Sequence, residues 1–208
     1  MDILSHRGLW LNEKEKNTEV AFIRSFASGF GTETDVRDCA GQLVISHDPA
    51  TGAEMTLTHF LTLLGDASLP LALNIKADGL AGKLCHVMAG FPHIPWFVFD
   101  MSIPDTRHQL RVGNPVYVRM SEVERAPPWL ERVEGIWLDG FDDTWWTSAI
   151  VQGLLGQGKK VCVVSPELHG RDPHTAWRML RPLAAQKGLS ICTDLPNEAS
   201  QYFWEVLS

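Results

Sequence analysis

The sequence predicts an α/β fold of the compact (β/α)8 TIM-barrel class, carried by one domain over residues 1–208. Two observations lead there. Eight short runs rich in Val, Ile and Leu recur along the chain, and most are separated by text with helical patterning, which implies parallel strands joined by crossovers. No glycine-rich phosphate loop follows the first run, so the usual ligand signature of a doubly wound open sheet is missing.

The runs are 3–5, 32–36, 71–75, 96–99, 116–118, 135–138, 161–164 and 190–192. A ninth, 43–46, follows the turn text Asp38-Cys39-Ala40-Gly41 and reads as a hairpin partner of the second. Between them, helices are expected over 18–29, 57–64, 79–90, 143–156, 174–187 and 197–207, with a weaker one over 104–112. In the first helix Phe22, Ile23 and Phe26 share a face, and Gly29 offers a C-terminal stop. The connection 121–134 contains Pro127-Pro128 and has room only for a short helix. Eight units in this length lie at the small end for such a barrel.

Composition narrows the function. The net charge of −7, from 18 basic and 25 acidic residues, offers no basic stripe for nucleic acid. No apolar stretch approaches the roughly 18 residues of a membrane span, and the N-terminus lacks the basic flank and apolar run of a signal peptide. Cys39, Cys85, Cys162 and Cys192 form no C-x-x-C pair, and the last two sit in strand text. The expectation is a reduced, cytoplasmic protein.

In barrels of this class the chemistry sits where strands end. Strand one ends in Ser5-His6-Arg7-Gly8. Strand two reads Thr32-Glu33-Thr34-Asp35; two apart, Glu33 and Asp35 share a face and suit a hard divalent cation. The ninth run leads into His47-Asp48, and Asn74 and Lys76 share a face on strand three. Later strands end in Arg119, Asp139, Ser165-Pro166-Glu167 and Thr193-Asp194. A cation on the two carboxylates would polarise a phosphoryl oxygen. Arg7, Lys76 and Arg119 would offset phosphate charge, and two histidines would supply a general base and a general acid.

These residues resemble the glycerophosphodiester phosphodiesterase family, within the phospholipase-C-like phosphodiesterase barrels. The resemblance is carried by His6-Arg7-Gly8, Lys16-Asn17-Thr18, Gly31 to Val36, Gly41 to Asp48, Leu73-Asn74-Ile75-Lys76 and Ile191 to Pro196. It implies that His6 and His47 are the acid/base pair and that Glu33 and Asp35 hold Mg²⁺ or Ca²⁺. Arg7 and Lys76 would contact phosphate. Asn17 would cap the first helix and face the site. The resemblance also implies that a neighbouring substrate hydroxyl attacks phosphorus, giving a cyclic phosphate that water opens. The family usually has Glu where this chain has Asn74, which would coordinate through its carbonyl oxygen without charge.

The expected substrate is a small or lipid-derived phosphodiester. A non-catalytic barrel that binds a phosphorylated metabolite is the competing reading, motivated by Asn74. An amidohydrolase would want an H-x-H pair on strand one, which is absent. Arg119 and Asp139 can equally pair with each other. Glu167 and His169 can equally bind a substrate head group or belong to an ordinary loop.

Overall fold

The computed structural model describes residues 1–204 and has the α/β fold of the (β/α)8 barrel class. Its contacts divide the chain into two compact units, Ser5–Val116 and Met1–Leu4 with Tyr117 onward. The first strand, β1 (Asp2–His6), contributes its beginning to one and its end to the other.

In the unit Ser5–Val116, the sheet runs from the end of β1 to β2 (Gly31–Cys39), β4 (Leu71–Ile75) and β5 (Trp96–Phe99), with β3 (Gln42–Ile45) hairpinned onto β2. β2 pairs with β4 in parallel, Asp35 beside Asn74, and antiparallel with β3, Val36 beside Ile45. Because β3 is antiparallel, its C-terminal end returns alongside the middle of β2. That carries His47 back toward the carboxylates.

The helices here are α1 (Glu19–Ala27), α2 (Leu57–Thr62), α3 (Ala81–Met88) and α4 (Ile103–Val112). α1 buries Ala21, Phe22 and Ser25 but exposes Ile23, so its core face lies one step from the expected one. Phe22 meets Phe60 of α2 edge-on at 4.5 Å between centroids, and this contact decides the helix's rotation. The segment that reads weakly in sequence is a firm helix: Ser102 Oγ accepts the Asp105 N–H and Gly113, at φ 83°, ends it.

In the other unit the sheet runs from the start of β1 to β9 (Leu189–Thr193), β8 (Lys160–Val164), β7 (Gly135–Leu138) and β6 (Tyr117–Met120). Its helices are α5 (Ser148–Gly156), α6 (His174–Leu180) and α7 (Pro196–Trp204). α5 begins five residues later than expected, because Thr147 caps it by accepting the Ile150 N–H. α6 stops at Leu180, where Pro182 turns the chain into a 3-10 turn, Arg181–Leu183. No helix forms over 121–134; the prolines remove donors, and turns at Trp129 close the segment instead. The end of the helix expected over 197–207 lies outside the described residues. Cys162 and Cys192 are buried in β8 and β9, as apolar strand residues should be. Among the described residues no helix is long and apolar enough to cross a membrane.

Candidate active site

The site grows from the end of β1. Arg7 and Gly8 both have left-handed backbones, φ 59° and 91°. A Cβ at Gly8 would lie 2.8 Å from Ala21 Cβ, so only glycine lets this turn close onto α1. The Arg7 N–H donates to Glu33 O (2.9 Å), which fixes the turn against β2. His6 is thereby left with Nε2 3.8 Å from Glu33 Oε2, while its carbonyl accepts from Trp10 Nε1 (3.1 Å).

β2 supplies the acids. Every residue from Thr32 to Val36 is buried, so Glu33 and Asp35 lie in the interior of their unit. Asp35 is surrounded by donors: Asn17 Nδ2 donates to Oδ2 (2.8 Å), Arg7 Nε sits 2.8 Å from the same oxygen, and Lys76 Nζ lies 3.3 Å from Oδ1. The Arg7 contact is an ion pair without hydrogen-bond alignment. Asn17 also accepts from Thr34 Oγ1 (2.9 Å). It adopts φ 60° and precedes the helix cap, which is Thr18. The sequence expectation that Asn17 caps α1 is therefore corrected: its side chain is spent on β2.

Glu33 is in a different state. Burial, then the charge of Asp35, push its carboxyl up to about 7, against the opposing pull of His6, Arg7 and Lys76. Its Oε2 accepts no hydrogen bond, nor does Asn74 Oδ1, and Asp35 Oδ1 has only the Lys76 ion pair. Asp35 and Asn74 are register neighbours on parallel strands, and Glu33 shares their face. Three buried oxygens on one face of neighbouring strands thus accept no aligned hydrogen bond, which normal interiors avoid. Oxygen ligands of this kind suit Mg²⁺ or Ca²⁺. Among the described residues no three His, Cys, Asp or Glu side chains gather as a metal-holding group.

The remaining expected residues fall as follows. His47 follows β3 and is half exposed, with Nδ1 2.9 Å from Asp48 Oδ1. Its carbonyl accepts from Arg37 Nε and Nη2 (3.2 and 3.0 Å), and Ser46 N–H donates to Asp35 O (3.1 Å), tying the loop to β2. An open cleft of about 530 Å³ is lined by Arg7, Lys16, Asn17, His47, Asp48 and Glu54, among others. Lys16 Nζ sits over the Trp10 ring at 4.5 Å.

Arg119 and Glu167 belong to the other unit. Arg119 Nε donates to Glu124 (2.8 Å) and lies over Phe141. Asp139 pairs with His169 Nε2 (2.8 Å). Glu167 accepts from Ser165 Oγ, Thr193 Oγ1 and the Asp194 N–H.

One residue escaped the sequence reading. Asp100 directly follows β5, has φ 66°, and accepts from Asn74 Nδ2 (3.4 Å). It was visible as a strand-end acid after Trp96-Phe97-Val98-Phe99; its left-handed backbone and its amide partner were not.

Solved structures with this arrangement of strands and helices include a protein assigned as a glycerophosphodiester phosphodiesterase from Galdieria sulphuraria (TM-score 0.75, 15% identity, 97% of each chain covered). A glycerophosphodiester phosphodiesterase from Agrobacterium tumefaciens superposes at a TM-score of 0.67 and 18% identity, covering 100% of this chain and 99% of that one. The chain shares the (β/α)8 barrel fold of these proteins. A Ca²⁺-dependent phosphatidylinositol-specific phospholipase C from Streptomyces antibioticus also matches (TM-score 0.52, 9% identity, 97% and 96% covered). Dihydropteroate synthases are among the matches too, so the fold alone does not assign the chemistry. No protein-family model and no curated protein matches the sequence.

Proposed function

We propose that the chain is a metal-assisted phosphodiesterase acting on a small or lipid-derived phosphodiester. The observation that carries this is the set of buried oxygens without a formed hydrogen bond, Glu33 Oε2, Asp35 Oδ1 and Asn74 Oδ1, with His6, Arg7 and Lys76 beside the carboxylates and His47 lining the cleft that Arg7 also lines. A binding module has no need of that acid/base pair, which favours catalysis over the binder reading.

Glu33, Asp35 and Asn74 would hold the divalent cation, Mg²⁺ or Ca²⁺, and its chemistry there is polarisation of a non-bridging phosphoryl oxygen. Arg7 and Lys76, held on Asp35 in its absence, are positioned to take up phosphate charge. One of His6 and His47 takes the proton from the attacking oxygen, either a neighbouring substrate hydroxyl or water. The P–O bond to the leaving alcohol breaks, and the other histidine returns a proton to that alcohol. With the substrate hydroxyl as nucleophile, the product is a cyclic phosphate that water opens with the two roles exchanged. His47, half exposed on a hairpin loop at the rim of the cleft, is the histidine suited to an alcohol that must leave.

The test is hydrolysis of bis(p-nitrophenyl) phosphate with Mg²⁺, Ca²⁺, Mn²⁺ or chelator, wild type beside His6→Ala. Turnover that needs metal and is lost in the variant is the expected result. Turnover that survives in the variant, or in chelator, would sink this mechanism. No turnover from folded protein with any of the metals returns the weight to the binder.

A further inference from the structure

The geometry points to Asp100 as a positioning residue that turns Asn74 into an oxygen ligand for the cation, an inference that rests on the metal-assisted reading above.

A primary amide has two unlike edges: the NH₂ donates and the carbonyl accepts. A carboxylate only accepts. The edge of Asn74 that faces Asp100 must therefore be its NH₂, as the Nδ2 to Oδ2 contact of 3.4 Å has it. The opposite edge, Oδ1, is then committed to the other side of β4. There it is buried and accepts no hydrogen bond, on the strand beside Asp35. Asn74 is 7% exposed, so water does not compete for that oxygen. With no acceptor at position 100, the amide would be free to present either edge.

The backbone supports the same reading. Asn74 is level with Phe99 on β5, so the next residue, Asp100, stands just past the strand end. Its φ of 66° lies in the left-handed region, which Asp enters at some cost and Gly at none. Partners of this kind behind metal ligands typically change affinity by about 10–100-fold.

The experiment measures Ca²⁺ and Mn²⁺ affinity by isothermal titration calorimetry, without substrate, alongside thermal melting. Asp100→Gly keeps the backbone conformation and removes the acceptor; cation affinity should fall about 10–100-fold with a cooperative melting transition retained. Asp100→Asn still offers Asn74 a carbonyl oxygen and should recover most of that loss. In an Asn74→Ala background, Asp100→Gly should cost nothing further. Unchanged affinity in Asp100→Gly overturns the inference, as does equal loss in Asp100→Asn and Asp100→Gly, which would mean that Asp100 acts through charge alone. A wild type that binds neither cation overturns the metal reading itself, a result distinct from either of these.

Discussion

The carboxylates of Glu167 and Asp139 in one unit and of Glu33 in the other are held in opposite ways. In the C-terminal unit, Glu167 receives two hydroxyls and a backbone N–H, and Asp139 receives the Gly140 N–H and His169. Both carboxylates are stitched into loops that follow β7, β8 and β9. In the unit Ser5–Val116, the loops are stitched just as well, but Glu33 and Asn74 keep an oxygen without a donor. Desolvated acceptors cost stability unless something fills them. We read the difference as one between acids that hold structure and acids held ready for a ligand, a distinction that strand-end position alone does not make.

The largest effect expected is on rate. His6→Ala and His47→Ala should each lower turnover about 10²–10⁴-fold, with circular dichroism unchanged. A His47 variant near wild-type activity would place the second proton transfer elsewhere.

Next comes the pH dependence of stability in chelator. Glu33's folded-state value, raised from 4.5 to about 7, means that the folded protein holds a proton the unfolded chain has released. This contribution is fully present below about 4.5 and is lost as pH rises through about 7, an effect of the order of 3 kcal/mol. Melting temperature should therefore fall between pH 5 and pH 8. Glu33→Gln should flatten that profile, melt higher than wild type at pH 8, and bind cation weakly. A profile identical to wild type's would place Glu33 among the satisfied acids.

Glu167→Ala tests the other side of the comparison. It strands two hydroxyls and an N–H and should cost about 1–3 kcal/mol in urea unfolding, with cation affinity unchanged. Lost turnover at undiminished stability would instead mark Glu167 as a substrate contact. Of similar size is Gly8→Ala, destabilising by about 1–3 kcal/mol through positive φ and the clash with Ala21, and lowering activity only as far as Arg7 shifts.

Much of this was legible in sequence, and the reasons are physical. Strand runs such as Leu71-Ala72-Leu73-Asn74-Ile75 are buried on both faces and stand out as apolar text. The pair Glu33 and Asp35 is legible because strand periodicity is two. Ile23 was misplaced because a nine-residue helix with apolar residues on several sides leaves its rotation to packing, here Phe22 on Phe60. Asn17 and Asp100 were misread or missed because both occupy left-handed backbone, where a polar side chain's direction follows from the turn rather than from spacing. The state of Glu33 was half legible. Two like charges on one face predict a raised carboxyl, but its depth of burial belongs to the folded chain.

The position of the site along the chain has a consequence for biosynthesis. His6, Arg7, Asn17, Glu33, Asp35, His47, Asn74, Lys76 and Asp100 all fall within one uninterrupted stretch, Ser5–Val116. Chains emerge from the ribosome N-terminus first, and local contacts form ahead of distant ones. The ligands proposed for the cation are therefore translated before Tyr117, while the opening residues Met1–Leu4 wait for their neighbours in β9, nearly two hundred positions later. A cation available during synthesis would meet its ligands before the last strand of the protein had been made.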